Sequence, residues 1–167
     1  AGTVRQPLVD YRFTAANLGW GTTQATDLRA AGIVRVGATP LVVPVTASAA
    51  RITGLNDAVT PFLTNVRINT SLRLANGNIS ADAIRFSTDK VSGVARLSAT
   101  PATGAFLLTT SASVPRLAIP GLGLADVSGD LRIASSPQGP TVSGPVQLRV
   151  VRLDNAGIAA ITEGLPV

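Results

Sequence analysis

Cysteine and histidine are both absent from this 167-residue chain, and aromatic residues make up only 4% of it. Their absence excludes thiol nucleophiles, disulfides, imidazole acid–base catalysis and most transition-metal sites. The chain also lacks a run of about 18 apolar residues and a basic, apolar leader, so we do not expect the segment itself to anchor in a membrane. With so few aromatic residues, any apolar surface must be aliphatic.

Lysine is nearly absent as well, since Lys90 stands alone beside thirteen arginines and the formal net charge is +5. A nucleic-acid surface would cluster basic residues among stacking aromatics, and this chain has neither feature. We interpret the arginines as solvated positions on strand surfaces, with contact to anionic lipid head groups as the alternative. Most of them occupy the polar positions of alternating segments: Arg67, Arg73, Arg85, Arg96, Arg132 and Arg149.

Apolar residues make up 46% of the chain, and many recur at every second position. The clearest segment is 66–74, in which Val66, Ile68, Leu72 and Leu74 alternate with arginine, asparagine and serine. This period of two predicts a strand with one apolar face. Burying such side chains is worth about 1.5–3 kcal/mol each, so that face must rest on something apolar.

The turn signals predict many short strands rather than helices. Sixteen glycines and eleven prolines are spread along the chain, and Asn76-Gly77 is a strong hairpin signal. We predict an all-β fold, a curved and mainly antiparallel sheet with one or two short helices, as a single domain over 1–167. The segment 17–27 is predicted as a turn, and Pro44 as part of an edge or bulged strand. The predicted strands are 9–13, two within 28–45, 41–52, 66–74, 79–86, 91–99, 106–114, 131–134 and 142–153. A short helix or helical turn is predicted at 56–65, and a closing helix at 156–163.

Three motifs resemble catalytic patterns, but their settings favour structural roles. Ser87 and Lys90 match S-x-x-K, yet they follow a strand, and the single lysine leaves no K-T-G partner motif. The segment 121–123 has only two glycines of a dinucleotide-binding loop. Asp126 and Asp130 suit a turn better than a rigid acid–base pair. We therefore predict that the chain is not an enzyme and binds no cofactor and no metal.

Three stretches, taken together, resemble the TamB family, the inner-membrane subunit of the translocation and assembly module, and its alphaproteobacterial members in particular. They are STDKVSG at 87–93, RLAIPGLGLADV at 116–127 with DLR at 130–132, and VRLDNA at 151–156 followed by GLP at 164–166. The likeness covers about residues 40–167, and the first forty residues carry none of these motifs. After Asn155 the chain has Gly157 and Ile158 where the family would place aromatic residues.

The resemblance implies an internal segment of a longer periplasmic protein that belongs with the AsmA-like, bridge-forming lipid carriers. It implies an inner-membrane anchor outside this segment, an outer-membrane barrel partner of the TamA type, and phospholipids as ligands. The expected function is to carry acyl chains between the two membranes in an apolar trough and to support outer-membrane biogenesis. Nucleic acid is not an expected partner.

The alternation, read with this resemblance, predicts which side chains line the groove, and it predicts a β-bulge at Val150-Val151. The predicted lipid-facing residues are Val66, Ile68, Leu72, Leu74, Ile84, Phe86, Leu97, Leu131, Ile133, Leu148 and Val150. The same alternation would arise in a closed sandwich, so trough and sandwich both remain open at this stage. Two further functions also remain: an assembly or chaperone-like module that presents sheet surface to barrel proteins, and a β-sandwich domain of a surface protein.

Overall fold

Ten β-strands form one antiparallel sheet in the computed structural model of the chain, which describes residues 7–20, 22–54, 60–120, 123–137 and 141–153. Strands account for 79% of the structure and helix for 2%, which confirms the predicted all-β class. The strands are β1 (Leu8–Trp20), β2 (Thr23–Arg35), β3 (Leu41–Thr53), β4 (Thr64–Ala75), β5 (Asn78–Ser87), β6 (Ser92–Thr100), β7 (Ala105–Ile119), β8 (Gly123–Ala134), β9 (Thr141–Ser143) and β10 (Val146–Leu153).

The spatial order of the strands follows the chain from β1 to β8, and both β9 and β10 pair with the outer side of β8. From β1 to β9 each strand pairs antiparallel with the next along the chain. At the two-residue connection of β4 to β5, Asn76 and Gly77 have φ angles of 49° and 73°, so the predicted hairpin is confirmed. β1 and β10 do not pair with each other, and the sheet is therefore open, consistent with a curved trough.

Directly opposed residues of paired strands lie on the same side of a sheet, so the register assigns every strand position to a face. Ile68 of β4 lies opposite Ala47 of β3 and Phe86 of β5, and Phe86 lies opposite Gly93 of β6. We call the face that carries Ile68 and the positions in register with it the apolar face, and the opposite one the polar face. Along β3, β4 and β6 the polar-face residues are mostly exposed, whereas the apolar-face residues, apart from Arg51, are half-buried or buried.

β-bulges keep the apolar residues on one face where the sequence loses its strict alternation. In β5, Asp82 and Ala83 are both exposed, and the register shifts by one residue between Ala81 and Ile84. A second bulge lies between Val114 and Leu117 of β7. A third lies between Val150 and Arg152 of β10, which confirms the bulge predicted there. Each inserts one residue on the polar side, so the apolar face continues across it.

Most side chains of the apolar face are only partly buried, as in an open layer, and not fully buried, as in a closed core. The buried apolar residues of the described chain are five alanines and Val66, and no large side chain is fully buried. A sandwich core would bury leucine, isoleucine and phenylalanine completely, because a second layer would cover them. The described strands therefore form a single-layer trough, and the second sheet of a sandwich is not found among them.

Several local expectations were wrong. The predicted turn at 17–27 is mostly strand, since β1 runs to Trp20 and β2 begins at Thr23. Asp126 and Asp130 lie within β8 instead of in a turn. At 56–65, by contrast, the predicted short helix or helical turn agrees with the 3₁₀ turn at Thr60–Phe62, which is followed by β4 from Thr64. Residues 55–59 and the whole of the second predicted helix lie outside the described residues.

Pro44 illustrates how a strand inside the sheet accommodates proline. It lies in β3, between β2 and β4, so the prediction of an edge strand was wrong. On its other side Pro44 lies opposite Ser71 of β4, but the pairing of β3 with β2 stops at Thr46. The carbonyl of Pro44 accepts a hydrogen bond of 2.6 Å from the Tyr11 hydroxyl instead. Proline is tolerated because no strand partner requires its missing N–H.

Candidate functional site

All eleven predicted groove residues lie on the apolar face. Four are on β4 and two on β5, and the direct pair of Ile68 with Phe86 joins these strands. Leu97 on β6 lies opposite Leu108 of β7, which lies opposite Ile133 of β8. Leu131 is two positions from Ile133 on the same strand, and Leu148 of β10 lies opposite Val127 of β8. The register thus brings residues from five strands, far apart in sequence, onto one surface.

These eleven residues differ in how far they are covered. Val66 is only 6% exposed, in a cluster with Ala25 and Ala49. At the other end of the sheet, Leu148 is 52% exposed and Val150 44%. The remaining eight are half-buried. The face therefore changes from packed to open toward β10.

The apolar face is larger than predicted, because β1, β2, β3 and β7 also contribute to it. The alternation of apolar and polar residues in 41–49 is the sequence signal that identifies the contribution of β3. In β7 a bulge interrupts the same signal. The additional large side chains in register with this face are Val9, Phe13, Leu28, Val34, Leu41, Val43, Val45, Ile79, Phe106, Leu108, Val114, Leu117, Ile119, Val127, Val142, Val146 and Leu153.

The charged side chain found at an apolar-face position in the described strands is Arg51, which lies opposite Thr64 and is exposed. Three hydroxyls of this face are hydrogen-bonded to the backbone. Tyr11 donates to the Pro44 carbonyl, Thr70 to the Ala83 carbonyl at 3.0 Å, and Thr110 to the Val94 carbonyl at 3.4 Å. A hydroxyl that is already hydrogen-bonded does not have to bind water. The face can thus meet hydrocarbon at little cost in unpaired polar groups.

Two aromatic rings lie flat on the apolar face, each over a glycine of the neighbouring strand. A methyl group on Gly32 would come within 2.7 Å of the Tyr11 ring, and one on Gly93 within 2.6 Å of Cζ of Phe86. Tyr11 pairs with Gly32, and Phe86 pairs with Gly93. The rings therefore fill the space that a side chain would occupy at each glycine, and the surface stays continuous.

A single row of directly opposed residues crosses the apolar face from one edge of the sheet to the other. With strands about 4.8 Å apart, a row across nine strands is roughly 40 Å long. That length exceeds the hydrocarbon core of a bilayer, about 30 Å, in which two acyl chains lie end to end. The row consists of Phe13, Ala30, Ala47, Ile68, Phe86, Gly93, Ala112, Gly129 and Val146.

A polar clasp lies at the turn between β5 and β6, outside the apolar face. The Asp89 carboxylate accepts hydrogen bonds from Asn65 Nδ2 at 2.8 Å and from Thr64 Oγ1 at 2.9 Å. These hydrogen bonds, first that of Asn65 and then that of Thr64, lower the pKa of Asp89. The turn is the Ser87–Lys90 motif, so the structure agrees with a structural role for it. Lys90 Nζ lies 5.6 Å from the centre of the Phe62 ring.

The described residues contain no group of three or more acidic side chains that could hold a metal ion, and no helix among them is long and apolar enough to span a membrane. The fold and the site together define an open, single-layer antiparallel sheet with one continuous apolar face, on which Arg51 is the charged side chain found among the described strands. Comparisons with protein-family models, with curated proteins and with solved structures find no match for the chain.

Proposed function

We propose that this chain is a segment of a periplasmic trough that carries phospholipid acyl chains between the inner and outer membranes, in the manner of the TamB family. The parent protein would be anchored in the inner membrane outside this segment and would meet an outer-membrane barrel of the TamA type. In this proposal the apolar face holds the acyl chains, and the polar face is turned to the periplasm. No catalytic residue is needed, because movement along an apolar surface makes and breaks no covalent bond.

The observation that carries the proposal is the apolar face itself. Apart from the exposed Arg51 it carries no charged side chain in the described strands, and it continues from β1 to β10 without a described element covering it. Contiguous apolar patches beyond a few hundred Å² are rare on soluble monomers and mark interaction surfaces. Acyl chains suit this one because they need apolar contact without directional bonds, which aliphatic side chains and flat aromatic rings supply.

Two residues of β4 on opposite faces provide the test. A photo-crosslinking amino acid is placed at Ile68 on the apolar face or at Arg73, an exposed position of the polar face, and the purified chain is irradiated with labelled phospholipid vesicles. We expect lipid adducts at Ile68 several-fold above those at Arg73, and co-purifying phospholipid in native mass spectra. Equal labelling at the two positions would contradict the proposal.

A second candidate function is an assembly module that presents sheet surface to barrel strands. It is favoured by β1, whose thirteen residues pair on one side only among the described strands. An unpaired edge of this length is a template for strand addition. Crosslinks of β1 to barrel strands, without lipid adducts at Ile68, would favour this candidate over the first.

A further inference from the structure

Open grooves with volumes up to about 590 Å³ lie on the polar face. One groove of about 590 Å³ is lined by five three-residue segments side by side: 12–14, 29–31, 46–48, 67–69 and 85–87. The middle residue of each segment belongs to the apolar face, and the two flanking residues belong to the polar face. Apolar-face neighbours of the middle residues, such as Tyr11, Leu28 or Val66, do not line the groove. The flanking side chains are therefore its walls, and it opens on the polar face.

This groove, which we call the arginine groove, is lined by four arginines and by no acidic residue: Arg12, Arg29, Arg67 and Arg85. Arg29 and Arg67 lie directly opposite Ser48 from its two sides, in β2 and β4. Two strand spacings place their backbones about 10 Å apart, so both long side chains can reach an anion above Ser48. Arg12 and Arg85 are diagonal neighbours of this pair, about 7–8 Å away across adjacent strands.

The positive charge of the arginine groove is only partly offset by nearby carboxylates. The described residues include thirteen basic and six acidic side chains, and the salt bridge found among them joins Arg12 to Asp10 at 3.9 Å. Asp89 feels the charge of Arg67, but its oxygens accept hydrogen bonds from Asn65 and Thr64. Asp27 borders Arg29, Ser48 and Arg67, and it is exposed and forms no salt bridge among the described residues. Arg29 and Arg67 therefore keep guanidinium groups that no salt bridge among the described residues engages.

We propose that Arg29 and Arg67, with the Ser48 hydroxyl between them, bind a phosphate group. The planar guanidinium presents paired N–H donors that match two phosphate oxygens, so two arginines and a hydroxyl can satisfy a tetrahedral anion. A groove walled by arginine stems and hydroxyls, with a floor of backbone, leaves room for the uncharged part of the ligand. The phosphate can come from a lipid head group at a membrane surface or from a soluble phosphate ester, since the recognition chemistry is the same.

A second arginine pair supplies a matched control. Arg96 and Arg132 lie directly opposite Thr109 from its two sides, so they have the same spacing and the same central hydroxyl. An aspartate stands near each pair, Asp130 beside Arg96 and Arg132 and Asp27 beside Arg29 and Arg67. The control groove lacks further arginines, whereas Arg12 and Arg85 add positive charge to the arginine groove. The double variants Arg29→Gln with Arg67→Gln and Arg96→Gln with Arg132→Gln each remove two positive charges. Any difference between them measures position and not net charge.

Binding to the full chain is measured with two probes at about 0.15 M salt, where weak surface attraction is screened. The probes are glycerol phosphate in solution, and vesicles of phosphatidylglycerol in phosphatidylcholine. We expect Arg29→Gln with Arg67→Gln to weaken binding at least about tenfold, and Arg96→Gln with Arg132→Gln to weaken it less than about threefold. Circular dichroism of each variant confirms that the sheet is retained.

The two probes separate the sources of the phosphate. Binding of glycerol phosphate that depends on Arg29 and Arg67 identifies a soluble ester, and binding of vesicles alone with the same dependence identifies a head group. Equal weakening by the two double variants would show diffuse attraction and overturn the proposal. A native chain that binds neither glycerol phosphate nor the vesicles would overturn the proposal too. The result does not depend on whether the apolar face carries acyl chains.

Discussion

Side chains on the same face of the same strand differ in how deeply they are buried, as Val66 and Leu72 of β4 show. Val66 is 6% exposed and packs with Ala25 and Ala49, while Leu72 is only half-buried. A charge at the first position would be trapped, whereas at the second it could still reach water. The cost of an ion in an apolar setting depends on that access.

We therefore expect Leu72→Asp to fold, with the free energy of unfolding lowered by about 1–2 kcal/mol and the midpoint by a few degrees. In the proposed trough this carboxylate would stand in the path of acyl chains and reduce lipid capture at Ile68. Val66→Asp should instead cost several kcal/mol of a total stability of about 5–15 and largely unfold the chain. Thermal melts of both variants check this. Complete unfolding by Leu72→Asp would mean that the face is closed.

Asp89 should make stability depend on pH. Its pKa is lowered in the folded chain by the hydrogen bonds from Asn65 and Thr64, so the ionised form is the one that stabilises the fold. That contribution is complete above the ordinary carboxyl pKa of about 4, and it is lost as the pH falls through the lowered value. We expect Asp89→Asn to be less stable than the native chain at neutral pH, and the difference to shrink toward pH 2.

Melting temperatures from pH 2 to pH 7 measure this effect. Thr64→Val removes one donor and keeps the carboxylate, so it should give a smaller change of the same sign. A difference between Asp89→Asn and the native chain that stays constant over the whole range would rule out this role for the clasp.

The position of a single side chain could be predicted from the sequence only where the signal is local. The alternation in 66–74 was sufficient to place four side chains on one face, because strand geometry leaves no other arrangement. The clasp of Asn65 with Asp89 could not be read, since it joins residues 24 apart across two strands. The arginine groove was missed for the same reason: Arg29 and Arg67 come together only through the register of β3 between them.

At the scale of the strand, glycine positions are set by what lies across from them. Gly32 of β2 lies opposite Tyr11, and a Cβ there would contact the Pro44 carbonyl oxygen as well as the tyrosine ring at 2.7 Å. Gly19 of β1 has only ordinary contacts, with the Thr23 carbonyl oxygen at 3.7 Å and Gln24 at 3.9 Å. The two glycines lie in neighbouring strands, and neither has a positive φ. The two positions therefore differ in the steric contacts that an added Cβ would make.

We expect Gly32→Ala to lower the free energy of unfolding by about 1–3 kcal/mol, since the new methyl group displaces backbone as well as a ring. Gly19→Ala should change it by less than about 0.5 kcal/mol, or slightly stabilise the fold by restricting the unfolded chain. Urea denaturation of both variants provides the measurement. Equal effects at the two glycines would contradict the close packing of Tyr11 on β2.

Strand boundaries could be predicted from the sequence where a turn motif is specific for one conformation, and they could not where the local signal is weak. Asn76-Gly77 was predicted correctly because this pair favours positive φ at both positions. The bulge after Val150 was predicted correctly because it keeps the apolar residues on one face. The segment 17–27, rich in threonine and glycine, was read as a turn although its residues are mostly paired. Partners on both sides outweigh weak local preference, as strand propensity depends on context.

At the scale of the whole molecule, the sheet is a single layer, and most contacts between strands join strands that are neighbours in the sheet. The stability is therefore distributed along the row of strands. Such an arrangement resembles a repeat protein, in which each unit is stabilised by the interfaces on its two sides. The buried cluster lies on β2, β3 and β4, whereas the residues of β9 and β10 are exposed almost throughout. The sheet should therefore open from the β10 side.

Hydrogen exchange tests this whole-molecule expectation. We expect the amides of β3 and β4 to exchange slowest and those of β9 and β10 fastest, with intermediate rates between them, because an end strand loses one interface on opening and a central strand loses two. Exchange followed by mass spectrometry on peptides from each hairpin resolves the gradient. Val66→Asp, placed in the buried cluster, should abolish the slow class, while Leu72→Asp should leave it. A single common rate across all ten strands would show that the sheet opens as one cooperative unit, and would contradict the layered stability argued from its contacts.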